Sequence, residues 1–253
     1  MTSRILELTA NHLKTRSFDA PRFLRNRHSM TIFAALYPRK IVLPESEYRE
    51  FETEPGTRVV THCHWQTNKH DSPTIILVHG LEGSAEARYV RGTAFKAFNA
   101  GFNVVRLNVR NCGMTSHLSQ GLYHSGLTTD LREVTLGLIR TDNLKRIWWI
   151  GFSMGANHIL KLAGEFGRNI PVEVKGLCAI SPPIDLAICA RDINRPENRI
   201  YERRFLRSLQ ATIHRKTTQC PGIVNLEKLA RTRNLWEFDE VVTAPHFGFR
   251  DAR

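Results

Sequence analysis

The sequence predicts an α/β fold in which a mostly parallel sheet carries helices on both of its faces. Three observations support this class. From Thr74 onward, short apolar runs alternate with stretches of helical periodicity, which is the pattern of strand–helix–strand units. One run, which starts at Ile147, is followed at once by the pentapeptide GFSMG (151–155) and a helical pattern. The 253 residues are enough for one domain with a full core.

The first part of the chain predicts short elements of mixed type. Residues 1–39 resemble an N-terminal arm with short helices. Two antiparallel strands are expected at 40–43 and 57–65, because Pro44 and the pair Pro55-Gly56 mark the turns that bound them. These strands precede the alternating part of the chain.

Four parallel strands and three helices form the predicted core. A buried parallel strand is a nearly continuous apolar run, since helices cover both of its faces. Asp130 lies in the first turn of the second helix, where a carboxylate complements the positive end of the helix dipole. We expect strands at 74–79, 103–108, 147–150 and 176–181, and helices at 85–99, 128–140 and 155–166.

The strand, pentapeptide and helix around Ser153 predict a nucleophile elbow. In such a turn the serine has a strained backbone conformation and its hydroxyl stands clear of the sheet edge. Gly151 and Gly155 fit, because a side chain at either position would collide with the adjoining strand or helix. The pentapeptide alone does not identify an elbow, but its apolar and helical flanks support one. We interpret Ser153 as the nucleophile; the alternative is an ordinary strand-to-helix turn.

The loop HGLEGS (79–84), after the first parallel strand, predicts the second part of the site. Acyl transfer to a serine creates an oxyanion, which backbone N–H groups stabilise. One donor is the amide after the nucleophile, here Met154, and the other lies in a loop after an earlier strand, here Leu81. We interpret His79 as a loop-shaping residue that bonds to backbone.

Composition restricts the class of protein. No apolar run is long enough to span a membrane, and the N-terminus resembles no signal peptide. Five cysteines without C-x-x-C spacing suit a reducing cytoplasm and argue against a disulfide framework or a zinc site. Nothing in the sequence places a base beside Cys112, so we do not interpret it as a nucleophile. We expect neither a metal nor an organic cofactor.

The formal net charge of +12 is concentrated in one segment. Between Arg191 and Arg233 there are 11 lysines and arginines against four acidic residues. This excess can attract anionic lipid, an acidic substrate or nucleic acid, or it can belong to a solvated helix face. Nucleic-acid binding is the least favoured alternative, because the sequence contains no recognisable reading module.

Several motifs in order along the chain resemble one family. They are HGLEGS (79–84), RNCG (110–113), LYHSG (122–126) with Asp130-Leu131, GFSMGAN (151–157), SPPIDL (181–186), and EFD (237–239) before VTAP (242–245). Together they resemble the YheT-type branch of the α/β-hydrolases, which is related to the ABHD lipases and esterases. The resemblance runs from Pro21 to the last residue. Met154, Ala156 and Met30 depart from the residues usual in this family.

The resemblance implies an α/β-hydrolase fold with a helical lid and the activity of a serine carboxylic-ester hydrolase. Carried over by position, Ser153 is the nucleophile, and Leu81 and Met154 are the oxyanion-hole donors. A basic lid suits lipid or other acylated anionic substrates and predicts peripheral membrane contact. The implied single domain, 1–253, has an arm (1–39), a core sheet (40–181), a lid (182–236) and the start of a return to the core (237–253).

The resemblance also implies that the last strands of the sheet and two members of the catalytic triad are missing. In this fold the acid and the histidine follow the nucleophile, on loops after later strands. Residues 237–253 are too few for two more strand–helix units. We therefore expect impaired activity and a truncated, frameshifted or partial sequence; the alternatives are a non-catalytic lipid- or partner-binding protein and an acyltransferase.

Other residues are poor substitutes for the missing acid and base. His158 lies five residues beyond Ser153 on the same predicted helix, about 140° around the helix axis, so its ring is expected to point elsewhere. His124, His214 and His246 have no better position in the sequence. Asp185 and Asp239 fit turn or capping roles.

Overall fold

The computed structural model describes residues 19–252, and the chain divides into two compact units. The described part of the first unit, which ends at Lys40, contains a 3₁₀ turn at Arg22–Leu24 and helix α1 at Arg27–Leu36. The side chain of Asn26 caps α1 by accepting hydrogen bonds from two backbone N–H groups of its first turn. The prediction of short helices is thus confirmed from residue 19 on, and residues 1–18 lie outside the described residues.

The second unit, from Ile41 on, is built on a mixed sheet of six strands. In the order β1-β2-β4-β3-β5-β6, the first two pairings are antiparallel and the remaining three are parallel. This confirms the predicted class, a mostly parallel sheet. The strands are β1 (Glu47–Glu54), β2 (Thr57–His64), β3 (Thr74–Val78), β4 (Asn103–Asn108), β5 (Ile147–Phe152) and β6 (Val174–Ile180).

Eight helices of the second unit complete the described secondary structure, with a π-helical turn at Asp239–Thr243 and 3₁₀ turns at Ser116–Leu118, Gly167–Asn169 and Pro196–Asn198. Among residues 19–252, no helix combines the length and the apolar character needed to cross a membrane. The helices are α2 (Arg88–Asn99), α3 (Thr129–Asp142), α4 (Met154–Phe166), α5 (Leu186–Ile193), α6 (Arg199–Gln219), α7 (Leu226–Arg231), α8 (Leu235–Phe238) and α9 (Ala244–Phe247).

The hydrophobic core lies on both faces of the sheet. Successive side chains of a strand point to opposite faces, and β3 shows the result. Ile75 and Leu77 pack with apolar side chains of α2, whereas Ile76 and Val78 pack with those of α3 and α4. All five residues of β3 are buried. Helices therefore cover both faces of the central strands, as the sequence predicts.

One predicted strand is wrong. Residues 41–46 have no regular secondary structure, and the first strand is β1, which begins at Glu47. In β1, Phe51 and Thr53 are buried while Glu52 between them is exposed. Charged residues are typical of an edge strand, because they discourage pairing with other chains. The same charges lower the apolar content of β1, and this hides the strand from pattern-based prediction.

The other predicted elements are confirmed, with shifts at their ends. The strand expected at 176–181 begins at Val174, and the helix expected at 128–140 extends to Asp142. Helix α2 begins at Arg88 instead of Ala85, because the residues before it form a turn. In that turn the Ala85 N–H donates to the side chain of Asn108 (2.7 Å).

The parallel strands end at a common edge of the sheet. Val78 of β3 pairs in register with Leu107 of β4 and with Gly151 of β5, and Phe152 pairs with Ile180 of β6. The loops that follow these strands therefore emerge side by side. In open α/β sheets this carboxyl edge is where ligands bind.

β6 forms one edge of the described sheet. Leu177 and Ile180 on this strand are partly exposed. Beyond it, the chain continues in helices up to Phe247.

The helices after β6 have an apolar core of their own. Leu206 and Ile213 of α6 pack there with side chains of α7, α8 and the π-helical turn. Lys216 of α6 is fully buried, and its ammonium group donates to the backbone carbonyls of Ser116 (2.8 Å) and Ser119. These contacts fasten α6 to the loop that follows β4.

Candidate active site

Ser153 lies in a strained turn between β5 and α4. Its backbone has φ 52° and ψ −119°, and its side chain is exposed. Such a conformation costs a non-glycine residue about 1–3 kcal/mol, so the surrounding structure must hold it in place. The Ser153 N–H donates to the carbonyl of Ile180 (2.9 Å), while the Ser153 carbonyl accepts from the N–H groups of Ala156 (2.9 Å) and Asn157 (3.2 Å). β6 and the first turn of α4 thus fix the turn from both sides.

The two glycines of the pentapeptide are required by close backbone contacts. A Cβ on Gly151 would lie 2.3 Å from the carbonyl oxygen of Gly155, and a Cβ on Gly155 would lie 2.4 Å from that of His79. Both distances are far below van der Waals contact. The collision predicted from the sequence is therefore confirmed, and the contact at Gly155 brings the loop after β3 against the start of α4.

The loop after β3 passes directly beside Ser153. A Cβ on Gly80 would lie 3.2 Å from the Cβ of Ser153, and the Gly80 N–H donates to the hydroxyl of Tyr89 (2.9 Å). Leu81 follows Gly80, and Met154 follows Ser153, so both predicted oxyanion donors are adjacent in sequence to the two residues in contact. Within residues 19–252, neither the Leu81 nor the Met154 amide donates a hydrogen bond to the protein. Their role as oxyanion donors remains a prediction.

His79 shapes this loop, as predicted. The Val109 N–H donates to Nε2 of His79 (3.2 Å), which places the proton of the neutral ring on Nδ1, and Nδ1 donates to the carbonyl of Gly80 (2.8 Å). Burial lowers the pKa of His79 to about 4, so the ring is neutral at pH 7. The side chain joins the loop after β3 to the residues just after β4.

Glu82 connects the same loop to the helices that follow β6. Its backbone φ is 53°. One carboxylate oxygen, Oε1, accepts from the hydroxyl of Tyr123 (2.6 Å), and the other, Oε2, accepts from Ser208 (2.8 Å) and Thr212 (2.7 Å) of α6. Sequence reasoning missed this role, because the partners lie 41 to 130 positions away and no local pattern marks them.

A buried ion pair holds the loop after β4. Arg110 and Asp130 each expose 3% of their side chains, and two guanidinium nitrogens of Arg110 donate to Asp130 Oδ1 (3.0 and 2.6 Å). A third nitrogen donates to Glu54 (2.8 Å) on β1. Asp130 does lie in the first turn of α3, as predicted. Its main contacts, however, are with Arg110, and the sequence did not show that pairing.

None of the four other candidate histidines is hydrogen-bonded to Ser153 within the described residues. His158 donates from Nε2 to the carbonyl of His124 (3.1 Å), and burial lowers the pKa of His158 to about 4. His124 and His246 each accept from a nearby backbone N–H, and His214 is exposed on α6. In the described part of the chain, no histidine or carboxylate is hydrogen-bonded to the Ser153 hydroxyl. The expectation that His158 points elsewhere is confirmed.

Asp185, Asp239 and Cys112 have structural contacts, as expected. Asp185 caps α5 by accepting from the Ile188 N–H (2.8 Å), and Asp239 accepts from the hydroxyl of Thr243 (2.5 Å). Burial raises the pKa of the Cys112 thiol, so this side chain is not a reactive thiolate.

Comparison with known proteins identifies the fold family. The profile of the alpha/beta hydrolase fold family matches residues 73–219. The chain is 28% identical to the putative esterase YheT of Escherichia coli in an alignment of 256 positions, which covers 99% of this chain and 74% of that protein. This similarity supports the resemblance to the YheT-type branch.

Two further relatives match over less of their own length. The embryogenesis-associated protein EMB8 of Picea glauca is 27% identical, over 90% of this chain and 52% of that protein. The monoacylglycerol lipase of Saccharomyces cerevisiae is 29% identical, over 71% of this chain and 41% of that protein. The chain therefore spans about half the length or less of these two relatives. Because the family profile covers more than half of the sequence, including the elbow and the loop after β3, the chain belongs to the alpha/beta hydrolase fold family.

Proposed function

We propose that this protein is a serine carboxylic-ester hydrolase in which Ser153 is the nucleophile and the amides of Leu81 and Met154 form the oxyanion hole. The observation that carries this proposal is the strained, exposed Ser153 directly beside Gly80. Backbone strain of this kind clusters at active sites. Ester substrates are supported by the relatives that are named a putative esterase and a monoacylglycerol lipase.

The proposed reaction has two halves. In the first, Ser153 Oγ attacks the ester carbonyl carbon and passes its proton to solvent water, while the carbonyl electron pair moves onto the oxygen. The two amides stabilise this oxyanion by hydrogen bonds that form fully only in the transition state. The intermediate then collapses, the alcohol leaves with a proton, and an acyl-serine remains. In the second half, water attacks the acyl-serine and releases the acid and free serine.

We also propose that turnover by this chain is impaired. A serine hydroxyl is a poor nucleophile unless a base accepts its proton. In the described residues the Ser153 hydroxyl has no histidine partner. His124 and His158 pack elsewhere, and burial lowers the pKa of each to about 4. Binding and the oxyanion hole alone give a serine hydrolase a residual rate about 10³–10⁴-fold above that in water.

A fluorophosphonate probe, which reacts covalently with nucleophilic serines, tests the assignment of Ser153. We expect slow labelling of the parent and none of Ser153→Ala. The control is Ser181→Ala, which removes another exposed hydroxyl at the same edge of the sheet, at a residue that also has positive φ. Equal labelling of Ser153→Ala and the parent would exclude Ser153 as the nucleophile.

A non-catalytic lipid- or partner-binding protein is the second candidate. The observation that favours it is the same lack of a hydrogen-bonded base at Ser153 within residues 19–252. Hydrolysis of p-nitrophenyl acetate and butyrate separates the two. A rate that Ser153→Ala abolishes supports the hydrolase, and binding to anionic vesicles with no hydrolysis supports the binding protein.

All five cysteines are free, which supports the proposed cytoplasmic location.

A further inference from the structure

The exposed charged side chains of α6 are all cationic. Arg199, Arg203, Arg204, Arg207 and Arg215 are all exposed along this helix, and we call them the basic face. The helix has one acidic residue, the buried Glu202, which accepts from a backbone N–H of α8. No carboxylate of α6 therefore offsets the charge of the basic face.

The central arginines of the basic face are not engaged in ion pairs. Among the described residues, Arg203, Arg204 and Arg207 contact no carboxylate within salt-bridge distance, and the three lie within little more than one turn of the helix. Cations that stabilise a fold are generally paired with acids. A cluster without acids retains its full attraction for an external anion.

Exposed apolar side chains adjoin the basic face. Ile200 of α6 is 67% exposed, and Ile184, just before α5, is 81% exposed. Leu186 and Ile188 of α5 are about half exposed, and α5 packs against α6. A bilayer surface accepts both kinds of side chain, because arginines reach anionic headgroups while aliphatic side chains enter the acyl boundary. Exposed aliphatic side chains add nothing to phosphate-backbone contacts, so this pairing favours a membrane over nucleic acid.

The contacts of α5 and α6 place this surface at the edge of the sheet that carries Ser153. The inner side of α6 donates to Glu82, which follows Leu81 in the loop beside the elbow. The side chain of Asn157 donates to the carbonyl of Pro183 (2.9 Å), which holds the segment with Ile184 next to the elbow. A membrane bound by α5 and α6 would thus lie on the same side of the second unit as the proposed nucleophile.

We propose that α5 and α6 form a docking surface for membranes that contain anionic lipid. The proposal rests on the proposed function in one respect, namely that the esters which the membrane presents to Ser153 would be lipids. Membrane binding itself requires no turnover. The charge of the basic face supplies attraction to anionic headgroups, and the four aliphatic side chains supply contacts with the acyl boundary.

Sedimentation with vesicles tests this surface. We compare vesicles of phosphatidylcholine alone with vesicles in which a third of the lipid is phosphatidylserine. The variant Arg203→Gln/Arg204→Gln/Arg207→Gln is expected to bind the anionic vesicles roughly 100-fold more weakly than the parent, at about 1 kcal/mol for each cation near the surface. The matched control, Lys96→Gln/Arg140→Gln/Lys145→Gln, removes the same charge from exposed positions near the opposite edge of the sheet and is expected to bind like the parent.

Further measurements separate the alternatives. Ile200→Gln is expected to weaken vesicle binding severalfold without affecting any binding to a single-stranded RNA of uniform sequence. Equal binding to both kinds of vesicle, or equal loss in both triple variants, would overturn the proposal. So would tighter binding to the RNA than to the vesicles at the same salt concentration. Ser153→Ala is expected to bind vesicles like the parent, so failure of the hydrolase proposal and failure of membrane docking give different results.

Discussion

Glu82 joins its own loop, after β3, to two distant parts of the chain. Its carboxylate accepts hydrogen bonds from a hydroxyl group in the loop after β4 and from hydroxyl groups at two positions of α6. Hydrogen bonds to a charged group contribute about 1.5–3 kcal/mol each, more than those between neutral groups. Since Leu81 precedes Glu82 directly, the position of the proposed oxyanion donor depends on the same hydrogen bonds.

Glu82→Gln tests this dependence. An amide offers one acceptor oxygen in place of two, so at least one hydroxyl loses its hydrogen-bond acceptor. We expect the free energy of unfolding to fall by about 1–3 kcal/mol. Glu52→Gln, at an exposed position of β1, is the control and is expected to change stability by less than about 0.5 kcal/mol. Urea unfolding measures both.

A double-mutant cycle with Thr212→Val then assigns the effect to the bond between Glu82 and α6. The effects of the two substitutions on the free energy of unfolding are expected to be non-additive, because each removes the same hydrogen bond. Full additivity would show that Glu82 does not hold α6 through Thr212.

At the scale of secondary-structure elements, the junction of β5 and α4 depends on close backbone packing. Gly155 has no space for a side chain, since its Cβ position lies 2.4 Å from the carbonyl oxygen of His79. Gly164 on the same helix has no heavy atom within 4 Å of its Cβ position. One helix thus contains a glycine that packing requires and another that it does not.

Alanine substitutions at these two glycines should have opposite effects on stability. Gly155→Ala is expected to lower the free energy of unfolding by about 3 kcal/mol or more, because backbone must move to admit the methyl group. Gly164→Ala is expected to raise it by about 0.5–1 kcal/mol, the difference in helix propensity. Calorimetry of both variants checks the prediction, and equal shifts in Tm would contradict it.

The elbow could be predicted from the sequence because its determinants are local. An apolar run, two glycines and a helical pattern lie within a few residues of Ser153, and the structure has all three. β1 could not be predicted, because it is recognised only by its pairing with β2. The Arg110–Asp130 pair and the bonds of Glu82 join residues that are close only after folding, so no spacing in the sequence indicates them.

At the scale of the whole molecule, neutral buried histidines make stability depend on pH. Burial lowers the pKa of His64, His79, His124 and His158 to about 4, from 6.5. The unfolded chain therefore binds more protons than the folded chain between about pH 6.5 and 4. The stabilisation is complete above pH 6.5 and is lost as the pH falls toward 4.

His158→Gln tests this pH dependence at one site. The glutamine amide can donate to the His124 carbonyl as Nε2 does, but it does not titrate. Between pH 7 and 5 the parent is expected to lose about 1–2 kcal/mol more stability than this variant. The control, His117→Gln, changes an exposed side chain and is expected to lose as much as the parent. Urea unfolding at both pH values measures the difference, and parallel losses in all three proteins would contradict the prediction.

The burial of Lys216 has a chemical consequence for the surface of α6. This residue is the only primary amine on the helix, and the packing of α6 encloses it completely. Every cation that α6 shows to solvent is a guanidinium group, which reagents and enzymes that acylate amines do not modify. Acetylation of lysine, a common way to switch off a basic surface, therefore has no target on α6.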